Sequence, residues 1–335
     1  TENICHDCYK CIRHCPCKAI RIVDGRAGVI QELCVACGMC VKVCPAHAKK
    51  IRPDLARARY LLGTGKKVYA SLAPSFVSYF RNIPRGALVT AIKRLGFAGV
   101  SETALGAQVV SAETGAFLAK AEPGVYLSSA CPAVVDFVRK YAPDYAKNVV
   151  PVLSPLLSHT KILRREFGEE IGVVFFGPCV AKKNESDRHQ ELLDLALTFA
   201  DLNEWLSEEG IDPGAINPND YQNMVPESAE EGRVYAIEGG MNDTLRAPAG
   251  DVRYLSVSGL TNLNRLLCEE PEAANSKACK IFIECLACPG GCVNGPVMPT
   301  RKGGTLGAVI EVAREYDGSN SLARPIDLPI EEPVH

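Results

Sequence analysis

Short apolar runs alternate with longer amphipathic stretches along the chain from Lys66 onward. The apolar runs are typical of buried strands and read VYASLAP, GVVFFGP and VRYLSVS. The amphipathic stretches have the apolar spacing of half-buried helices and read RGALVTAIKRLGF and PAVVDFVRKYA. Because strands that alternate with helices build α/β layers, the pattern predicts an α/β fold with mostly parallel or mixed sheets.

A basic helical stretch separates this part from the cysteine-rich beginning of the chain. It reads IRPDLARARYLLGTGKK and ends at Gly63 and Gly65. We therefore expect a small α+β domain at 1–52, a linker helix at 53–65 and a large domain at 66–320. The remaining segment, 321–335, is rich in proline and acidic residues, and we interpret it as a linker to a further domain.

Composition and charge argue against several kinds of partner. Hydrophobic residues make up 47% and charged residues 23% of the 335 residues, which is typical of a globular protein. The net charge of -2 gives no basic surface for nucleic acid, and no apolar run approaches the roughly 18 residues of a membrane span. Since we find no secretion signal, dinucleotide-binding glycine pattern or phosphate loop, we expect a cytoplasmic protein without NAD or ATP.

Cysteine is distributed unevenly, with nine of the 16 residues in the first 44 positions. Two segments, CHDCYKCIRHCP and CVACGMCVKVCP, share the spacing C-x2-C-x2-C-x3-C-P. This spacing indicates two 4Fe-4S clusters, in which the fourth cysteine of each repeat binds the other cluster. The two predicted ligand sets are Cys5, Cys8, Cys11 and Cys44, and Cys15, Cys34, Cys37 and Cys40.

A zinc ribbon is the alternative for these cysteines, but it needs two C-x2-C pairs, whereas the repeats hold eight cysteines. The segment between the repeats, RIVDGRAGVI, predicts a hairpin with Asp24 and Gly25 at its turn. The whole module resembles a bacterial two-cluster ferredoxin, which implies electron transfer. Cys17 lies outside the repeats, and we interpret it as a spare buried thiol.

Four further cysteines stand where predicted strands end, in SSACP, GPCVAKKNE and ECLACPGGCVNGP. Loops at strand ends often carry function, and four thiolates can hold one more 4Fe-4S cluster. The alternative is four unrelated core cysteines, because free cysteine is often buried as a small apolar residue. The candidate ligands are Cys131, Cys179, Cys288 and Cys292, whereas Cys268 and Cys279 are interpreted as structural.

Taken in order, these three segments resemble the signature motifs of iron-only (FeFe) hydrogenases, written TSCCP, MPCxxKxxE and ExMACxxGCxxGG. The resemblance covers nearly the whole chain, including the two-cluster module. It implies a two-lobed domain with mixed sheets and an H-cluster, a 4Fe-4S cubane bridged to a two-iron subsite with CO, cyanide and azadithiolate ligands. The implied reaction is the reversible reduction of two protons to H2, with oxygen sensitivity and a redox partner such as ferredoxin or a signalling domain.

The resemblance also implies roles for individual residues. The four cysteines would hold the cubane, and Cys292 would bridge it to the two-iron subsite. Lys182 would donate a charge-assisted hydrogen bond to one cyanide, although composition alone suggests a surface lysine. The segment ASLAPSF resembles a loop that lines the two-iron subsite, so Ala73, Pro74 and Ser75 are expected there, with Ser75 on the second cyanide. From the residues alone, the same loop predicts a capped helix start.

The chain departs from the family at positions that handle protons. Ala130 replaces a cysteine that passes protons to the azadithiolate nitrogen, and a methyl group neither donates nor accepts them. The segment SAETGAF aligns with the family's acidic relay, of which Glu113 remains while Thr114 and Phe117 replace later acids. Ser154 matches the relay serine and would be an isolated fragment of that path.

Two positions beside the two-iron subsite differ as well. Gly177 and Leu286 replace methionines of the family, so we expect different packing around the cofactor. Cys285, Glu284 and Glu185 are candidates for a substitute relay.

The chain keeps the residues that would bind the cofactor but lacks those that would handle protons. This combination predicts a hydrogen sensor with low turnover. The alternatives are an efficient bidirectional hydrogenase with another proton path, a non-enzymatic iron-sulfur assembly relative, and an electron-transfer protein with three cubanes. Lys182 and Ser75 argue against the assembly relative, because without a two-iron subsite they would have no cyanide to hold.

Overall fold

The computed structural model describes residues 1–2, 4–226, 231–245, 252–269, 279–299, 307–310 and 312. The predicted tail at 321–335 and the predicted end of the large domain at 320 lie outside the described residues. The described strands are β1 Ile20–Val23, β2 Arg26–Val29, β3 Val68–Leu72, β4 Gly99–Glu102, β5 Gly124–Leu127, β6 Gly172–Gly177, β7 Leu195–Thr198, β8 Val252–Ser258 and β9 Lys280–Leu286. The described α-helices are α1 Lys10–Arg13, α2 Met39–Lys42, α3 Leu55–Gly63, α4 Phe76–Tyr79, α5 Arg85–Arg94, α6 Ala104–Lys120, α7 Pro132–Tyr141, α8 Pro155–Phe167, α9 Ala181–Arg188, α10 Phe199–Glu208, α11 Gly240–Thr244 and α12 Leu260–Asn264.

The predicted hairpin forms near the beginning of the chain. Strands β1 and β2 pair antiparallel, with Val23 opposite Arg26. The two turn residues, Asp24 and Gly25, have φ angles of 49° and 70°. Two-residue hairpin turns of this kind need positive φ at both positions, which glycine and aspartate tolerate well. The predicted turn is therefore confirmed.

Two sheets form the large part of the fold. The first has the strand order β4-β3-β6-β7 and the second has the order β5-β9-β8, and every described pairing in them is parallel. All residues of β3 and β6 are buried, as expected for parallel strands covered on both faces. The α/β class is confirmed, and the described antiparallel pairing is that of the N-terminal hairpin.

A buried ion-pair cluster ties the predicted linker to the large part. Asp54, directly before α3, accepts a hydrogen bond at 3.0 Å from Lys183 on α9. Lys183 also contacts Asp201 on α10 at 3.3 Å, and the Lys183 and Asp54 side chains are only 3% and 1% exposed. Helix α3 lies inside the predicted linker, while the domain boundaries at 52 and 65 stay predictions.

The carboxyl ends of strands from both sheets point to one region of the molecule. In parallel α/β folds, loops that leave these ends form the usual binding crevice. Here the loops follow β3, β5, β6 and β9, which are the strands that precede the predicted site residues. Among the described helices, none combines the length and apolarity needed to cross a bilayer.

Candidate active site

A cavity of about 100 Å³ lies between the ends of β3, β5, β6 and β9. One ordered water needs only about 10–15 Å³ of such space, so the cavity has room for a larger group. Its lining includes predicted site residues from all three signature segments and from the loop after β3. These residues are Ala73, Pro74, Ser75, Ala130, Cys131, Cys179, Lys182, Glu284, Leu286 and Cys292.

Three of the four candidate ligands in the large part, Cys131, Cys179 and Cys292, line this cavity, and Cys288 lies beside them. Cys131 is the N-cap residue of α7, Cys179 follows β6, and both Cys288 and Cys292 follow β9. Burial raises the pKa of the Cys288 thiol, and the neighbouring thiolates of Cys292, Cys179 and Cys131 raise it further. Four thiols close enough to interact in a buried site suit a metal cluster, which binds them as thiolates.

A sharp turn between Cys288 and Cys292 brings the last ligand into place. Gly290 and Gly291 have φ angles of 74° and 107°, which L-residues rarely adopt. A Cβ on Gly291 would lie 2.6 Å from the carbonyl oxygen of Ala236. The glycines therefore permit both the turn and its close approach to neighbouring backbone.

Lys182 is buried at the cavity and not on the surface. Its Nζ donates to Ser154 Oγ at 3.0 Å and to Glu185 Oε2 at 2.7 Å. An ammonium group has three donors, so these two partners leave one donor for a group in the cavity. Ser154 and Glu185 thus hold the lysine in position, and neither of them lines the cavity.

Ser75 is fully buried, and its Oγ has no hydrogen-bond partner among the described residues. It occupies the N-cap position of α4, but its side chain makes no capping bond. A buried hydroxyl without a partner costs free energy unless a bound group accepts from it. Because Ser75 also lines the cavity, this hydroxyl suits a ligand that carries a small acceptor.

Phe175 occupies the space beside Gly177. Alternate residues of a strand share a face, so both lie on the same side of β6. A Cβ on Gly177 would lie 2.3 Å from Cζ of Phe175 and 3.1 Å from Cβ of Ala73. The phenyl ring lines the cavity, which agrees with the expected change of packing where the family has methionine. Leu286 lines the cavity too, and so does Met241, which sequence reasoning did not single out.

The residues that the sequence predicts at relay positions are apolar or lie away from the cavity. Ala130 and Phe117 pack against the same apolar cluster, whose buried members include Val110, Leu118 and Phe282. Glu113 does not line the cavity. Burial raises the pKa of Glu113, and the charge of Lys161 partly opposes this shift. These residues offer no continuous chain of donors and acceptors to the cavity.

No described hydrogen bond joins the side chains of the three candidates for a substitute relay, although Cys285 lies within electrostatic reach of Cys131 and Glu284. Glu284 lines the cavity, whereas the neighbouring Cys285 points to the opposite face of β9, where it packs with Ile281 and Ile283. This separation follows from strand geometry, because successive side chains point to opposite faces. Glu185 is held by Lys182. The structure therefore does not bring Cys285 and Glu185 into contact with Glu284.

Glu284 connects the cavity with an exposed side chain. Its carboxylate accepts hydrogen bonds from the backbone N–H groups of Gly239 at 2.8 Å and Met241 at 3.2 Å. The exposed Ser256 donates to it through Oγ at 3.0 Å. Burial raises the pKa of Glu284 to about 7, although these three hydrogen bonds oppose the shift. A carboxyl group with this pKa can both accept and release a proton near neutrality.

Thiols of both predicted N-terminal ligand sets lie close to one another. The first predicted set surrounds a cavity of about 50 Å³, with Cys5, Cys8, Cys11 and Cys44 in its lining. In the second set, burial raises the pKa of Cys37 to about 12, with contributions from Cys17, Cys40 and Cys15. No three His, Cys, Asp or Glu side chains within the described residues converge on a single-ion site. The four thiols of the first set line a shared space.

The second set lies next to the candidate active site. Cys37 and Cys288 line the same groove of about 230 Å³, and Lys42 Nζ donates to the carbonyl oxygen of Asn294 at 2.6 Å. Cys17 is buried, as predicted, and Tyr141 donates to its carbonyl oxygen at 3.2 Å. Cys268 and Cys279 line none of these cavities.

Comparison with known families identifies both parts of the chain. The family described as "Iron only hydrogenase large subunit, C-terminal domain" matches residues 66–296, and a "4Fe-4S binding domain" matches residues 27–50. Since the first match covers more than half of the chain, the protein belongs to the iron-only hydrogenase family.

Two curated relatives agree with this assignment. The periplasmic [Fe] hydrogenase large subunit of Nitratidesulfovibrio vulgaris is 24% identical over 284 residues, which are 68% of this chain and 66% of that protein. Iron hydrogenase 1 of Clostridium pasteurianum is 25% identical over 288 residues, which are 71% of this chain and 50% of that protein. The chain thus spans between one half and two thirds of the length of these relatives.

Solved structures share the fold. An [FeFe]-hydrogenase from work on oxygen inactivation is 18% identical, with a TM-score of 0.64 over 85% of this chain and 96% of that chain. A variant of HydA1 from Chlamydomonas reinhardtii is 19% identical, with a TM-score of 0.62 and the same coverage. The resemblance therefore confirms the predicted hydrogenase fold.

The residues at the cavity fit an H-cluster. The structure gathers four thiols, an unpartnered buried hydroxyl on Ser75 and one remaining donor on Lys182. A cubane needs such thiols, and cyanide ligands need such donors. Sequence reasoning missed Phe175, Met241 and Ser256, because their roles arise from contacts between elements and no motif marks them.

Proposed function

We propose that this protein is a hydrogen-sensing FeFe hydrogenase, which interconverts protons and H2 slowly. One observation carries the proposal: Ala130 and Phe117, at two relay positions, pack in one apolar cluster, while the cofactor-facing residues are retained. A positioned acid or base typically contributes about 10²- to 10⁴-fold to a rate. Loss of such groups without loss of the cofactor site suits a protein that responds to hydrogen.

The proposed cofactor site uses residues from all three signature segments. Cys131, Cys179, Cys288 and Cys292 would hold the cubane, with Cys292 as the bridge, and Lys182 and Ser75 would donate to the cyanides. When bound, the H-cluster supplies the iron at which protons and H2 are interconverted. The protein surrounds it with a largely apolar wall that limits the entry of water.

Electrons would reach this site through the N-terminal clusters. The first would be held by Cys5, Cys8, Cys11 and Cys44, and the second by Cys15, Cys34, Cys37 and Cys40. The groove shared by Cys37 and Cys288 supports a short path from the second cluster to the cubane. The outer partner would be an electron carrier such as ferredoxin, or a signalling domain.

Protons would use Glu284 as a substitute route. Its contact with the exposed Ser256 on one side and with the cavity on the other supports this role. Cys285 and Glu185 drop out of the proposed route, because the first faces away from the cavity and the second is bound to Lys182. A single carboxyl group between solvent and cofactor would sustain slow turnover.

The compartment stays a prediction. The sequence favours the cytoplasm, and one relative is periplasmic by name. A fractionation of native cells with antibodies against this chain would distinguish the two locations.

Infrared spectroscopy tests the cofactor part of this proposal. The iron-sulfur protein is loaded with the two-iron subsite and its CO and cyanide bands are recorded. We expect well-defined bands, and we expect Ser75→Ala to shift one cyanide band because the hydroxyl donor is lost. A Ser78→Ala variant is the matched control, since Ser78 is also fully buried but lies outside the cavity lining. Absence of any CO or cyanide band would favour the assembly relative or the three-cubane carrier.

A further inference from the structure

A lysine is buried beside the first N-terminal cysteine group. Lys49 is 6% exposed and lies in the lining of the cavity that Cys5, Cys8, Cys11 and Cys44 surround. It belongs to neither cysteine repeat, and sequence reasoning gave it no role. The question is what a buried ammonium group does at this position.

The partners of Lys49 are neutral. Its Nζ donates to the carbonyl oxygen of Ala27 and to Thr1 Oγ1, the latter at 2.6 Å. Within the described part of the chain, no carboxylate lies within ion-pair distance of this ammonium group. Burying a charge that has no opposite charge nearby is costly, so the positive charge needs another source of compensation.

The first cysteine group encloses the same small cavity as Lys49. Cys5, Cys8, Cys11 and Cys44 line it together with the lysine, and its volume is about 50 Å³. A cluster held by these four thiolates would therefore lie directly beside the ammonium group.

We propose that Lys49 is a redox-tuning residue whose buried ammonium raises the reduction potential of the proposed N-terminal 4Fe-4S cluster held by Cys5, Cys8, Cys11 and Cys44. The cluster takes up one electron on reduction, which adds one negative charge to a group that is already anionic. A nearby buried cation stabilises the reduced form more than the oxidised form, and net charge is one of the factors that set cluster potentials. Lys49 would therefore help the module to accept electrons from its partner.

This inference rests on the proposed cluster ligands, and redox titration tests it directly. The full chain with its iron-sulfur clusters is reduced stepwise by dithionite with mediators, and the reduced-cluster signals are followed by electron paramagnetic resonance. In Lys49→Met, we expect the ratio of reduced to oxidised cluster at a fixed potential to fall about tenfold, which corresponds to a shift of about 59 mV to more negative values for a one-electron couple. Lys49→Arg keeps the charge and is expected to keep the wild-type potentials.

Lys50→Met is the matched control. Lys50 is the neighbouring lysine, but its side chain is 56% exposed and pairs with Glu2 at 3.6 Å. Solvent screens such a charge, so we expect the potentials of this variant to equal those of the wild type.

Iron content and infrared bands keep this test separate from that of the proposed function. Unchanged potentials in Lys49→Met with fully assembled clusters would overturn the inference while the hydrogenase proposal stands. If Lys49→Met loses its clusters, Lys49→Gln takes its place in the titration. Loss of the clusters in both neutral variants would also overturn the inference, in favour of a purely structural lysine.

Discussion

Glu284 shows how one side chain can acquire a role that its neighbours in sequence do not share. It is 2% exposed and lines the cavity, and its carboxylate is bound by two backbone N–H groups and by Ser256. Burial raises its pKa to about 7, so at neutral pH both protonation states are populated. This combination of position and pKa is what a proton carrier requires.

Replacing Glu284 therefore tests the proposed proton route. Glu284→Gln keeps an acceptor for one of the two backbone N–H groups but cannot release a proton in the same way. We expect hydrogen evolution by the loaded enzyme to fall at least about tenfold, within the range of general acid-base contributions. The infrared bands should persist, since the Lys182 and Ser75 contacts remain.

The competing route is tested by Glu113→Gln, at the surviving position of the family's relay. Glu113 lies outside the cavity lining, so we expect turnover to change by less than about twofold. A greater loss of turnover in Glu113→Gln than in Glu284→Gln would show that protons still use the relay implied by the family resemblance.

At the residue scale, the motifs in the sequence predicted residues that meet at the cavity. Cys131, Cys179 and Lys182 were named from such motifs and lie together at the cavity. Phe175 and Ser256 could not be named in this way. Phe175 fills the space beside Gly177, and Ser256 reaches Glu284 from a neighbouring strand, so both roles depend on packing that no local pattern records.

At the scale of elements, helix α8 is joined to the first sheet by a buried histidine. His159 Nδ1 lies 2.8 Å from Ser71 Oγ on β3, and Nε2 lies 2.9 Å from Ser101 Oγ on β4. Ser71 Oγ in turn lies 2.8 Å from Thr103 Oγ1, and Thr103 lines the active-site cavity. Complete burial lowers the pKa of His159 to about 3, so the ring is neutral in the folded protein at ordinary pH.

This buried histidine makes stability depend on pH in a defined direction. The folded state binds the proton more weakly than the unfolded state, whose histidine has a pKa near 6.5. The contribution is therefore complete above about pH 6.5 and is lost as the pH falls toward 3. Between pH 7.5 and 5.5, we expect the wild type to lose about 1.4 kcal/mol of unfolding free energy relative to His159→Gln.

Denaturant unfolding at the two pH values measures this difference. His14→Gln is the control, because His14 is exposed and should leave the pH dependence unchanged. Equal pH dependence of the wild type and His159→Gln would show that His159 is not the group that loses its proton on folding.

Elements were predicted well where one periodic pattern filled the whole element. VYASLAP and GVVFFGP became β3 and β6, and PAVVDFVRKYA became α7. The prediction that Cys285 and Glu284 belong to one proton relay was less successful, because the side chains of adjacent residues in a strand point to opposite faces of the sheet. The alternation of β9 therefore explains which of the two reaches the cavity.

At the scale of the whole molecule, the ion pairs around Lys183 join three regions. Lys183 lies on α9, Asp54 precedes α3, and Asp201 lies on α10. Although burial opposes it, hydrogen bonds from Arg52 and Lys183 hold the pKa of Asp54 below its ordinary value. Helix α9 also carries Lys182, so the same helix contacts the linker and the active site.

Removing the buried ammonium group of Lys183 should weaken the contact between the predicted linker and the large domain. Loss of one partner of a buried ion pair typically costs about 3–5 kcal/mol. We expect Lys183→Met to lower the unfolding free energy by about 3 kcal/mol, at the lower limit because Asp54 keeps its contacts with Arg52 and Arg57. Proteolysis in the segment before α3 should also become faster.

Lys66→Met is the matched variant for this measurement. Lys66 is exposed, so we expect its unfolding free energy to stay within about 0.5 kcal/mol of the wild type. If Lys183→Met loses less than about 1 kcal/mol of unfolding free energy, the ion pairs contribute little to the contact between the predicted linker and the large domain.

We propose that turnover is slow and that proton delivery, not a missing cofactor, limits it. The most direct test compares hydrogen evolution by the loaded wild type, Ala130→Cys and Ala130→Gly, with infrared bands as the measure of cofactor content. At equal cofactor content, we expect slow turnover by the wild type and Ala130→Gly, and about tenfold faster turnover by Ala130→Cys. The gain in turnover should stay below the range of about 10²- to 10⁴-fold that a positioned acid or base contributes, because Phe117 still stands where the family's relay would have an acid. Fast turnover by the wild type, or no gain from the added thiol, would contradict the claim.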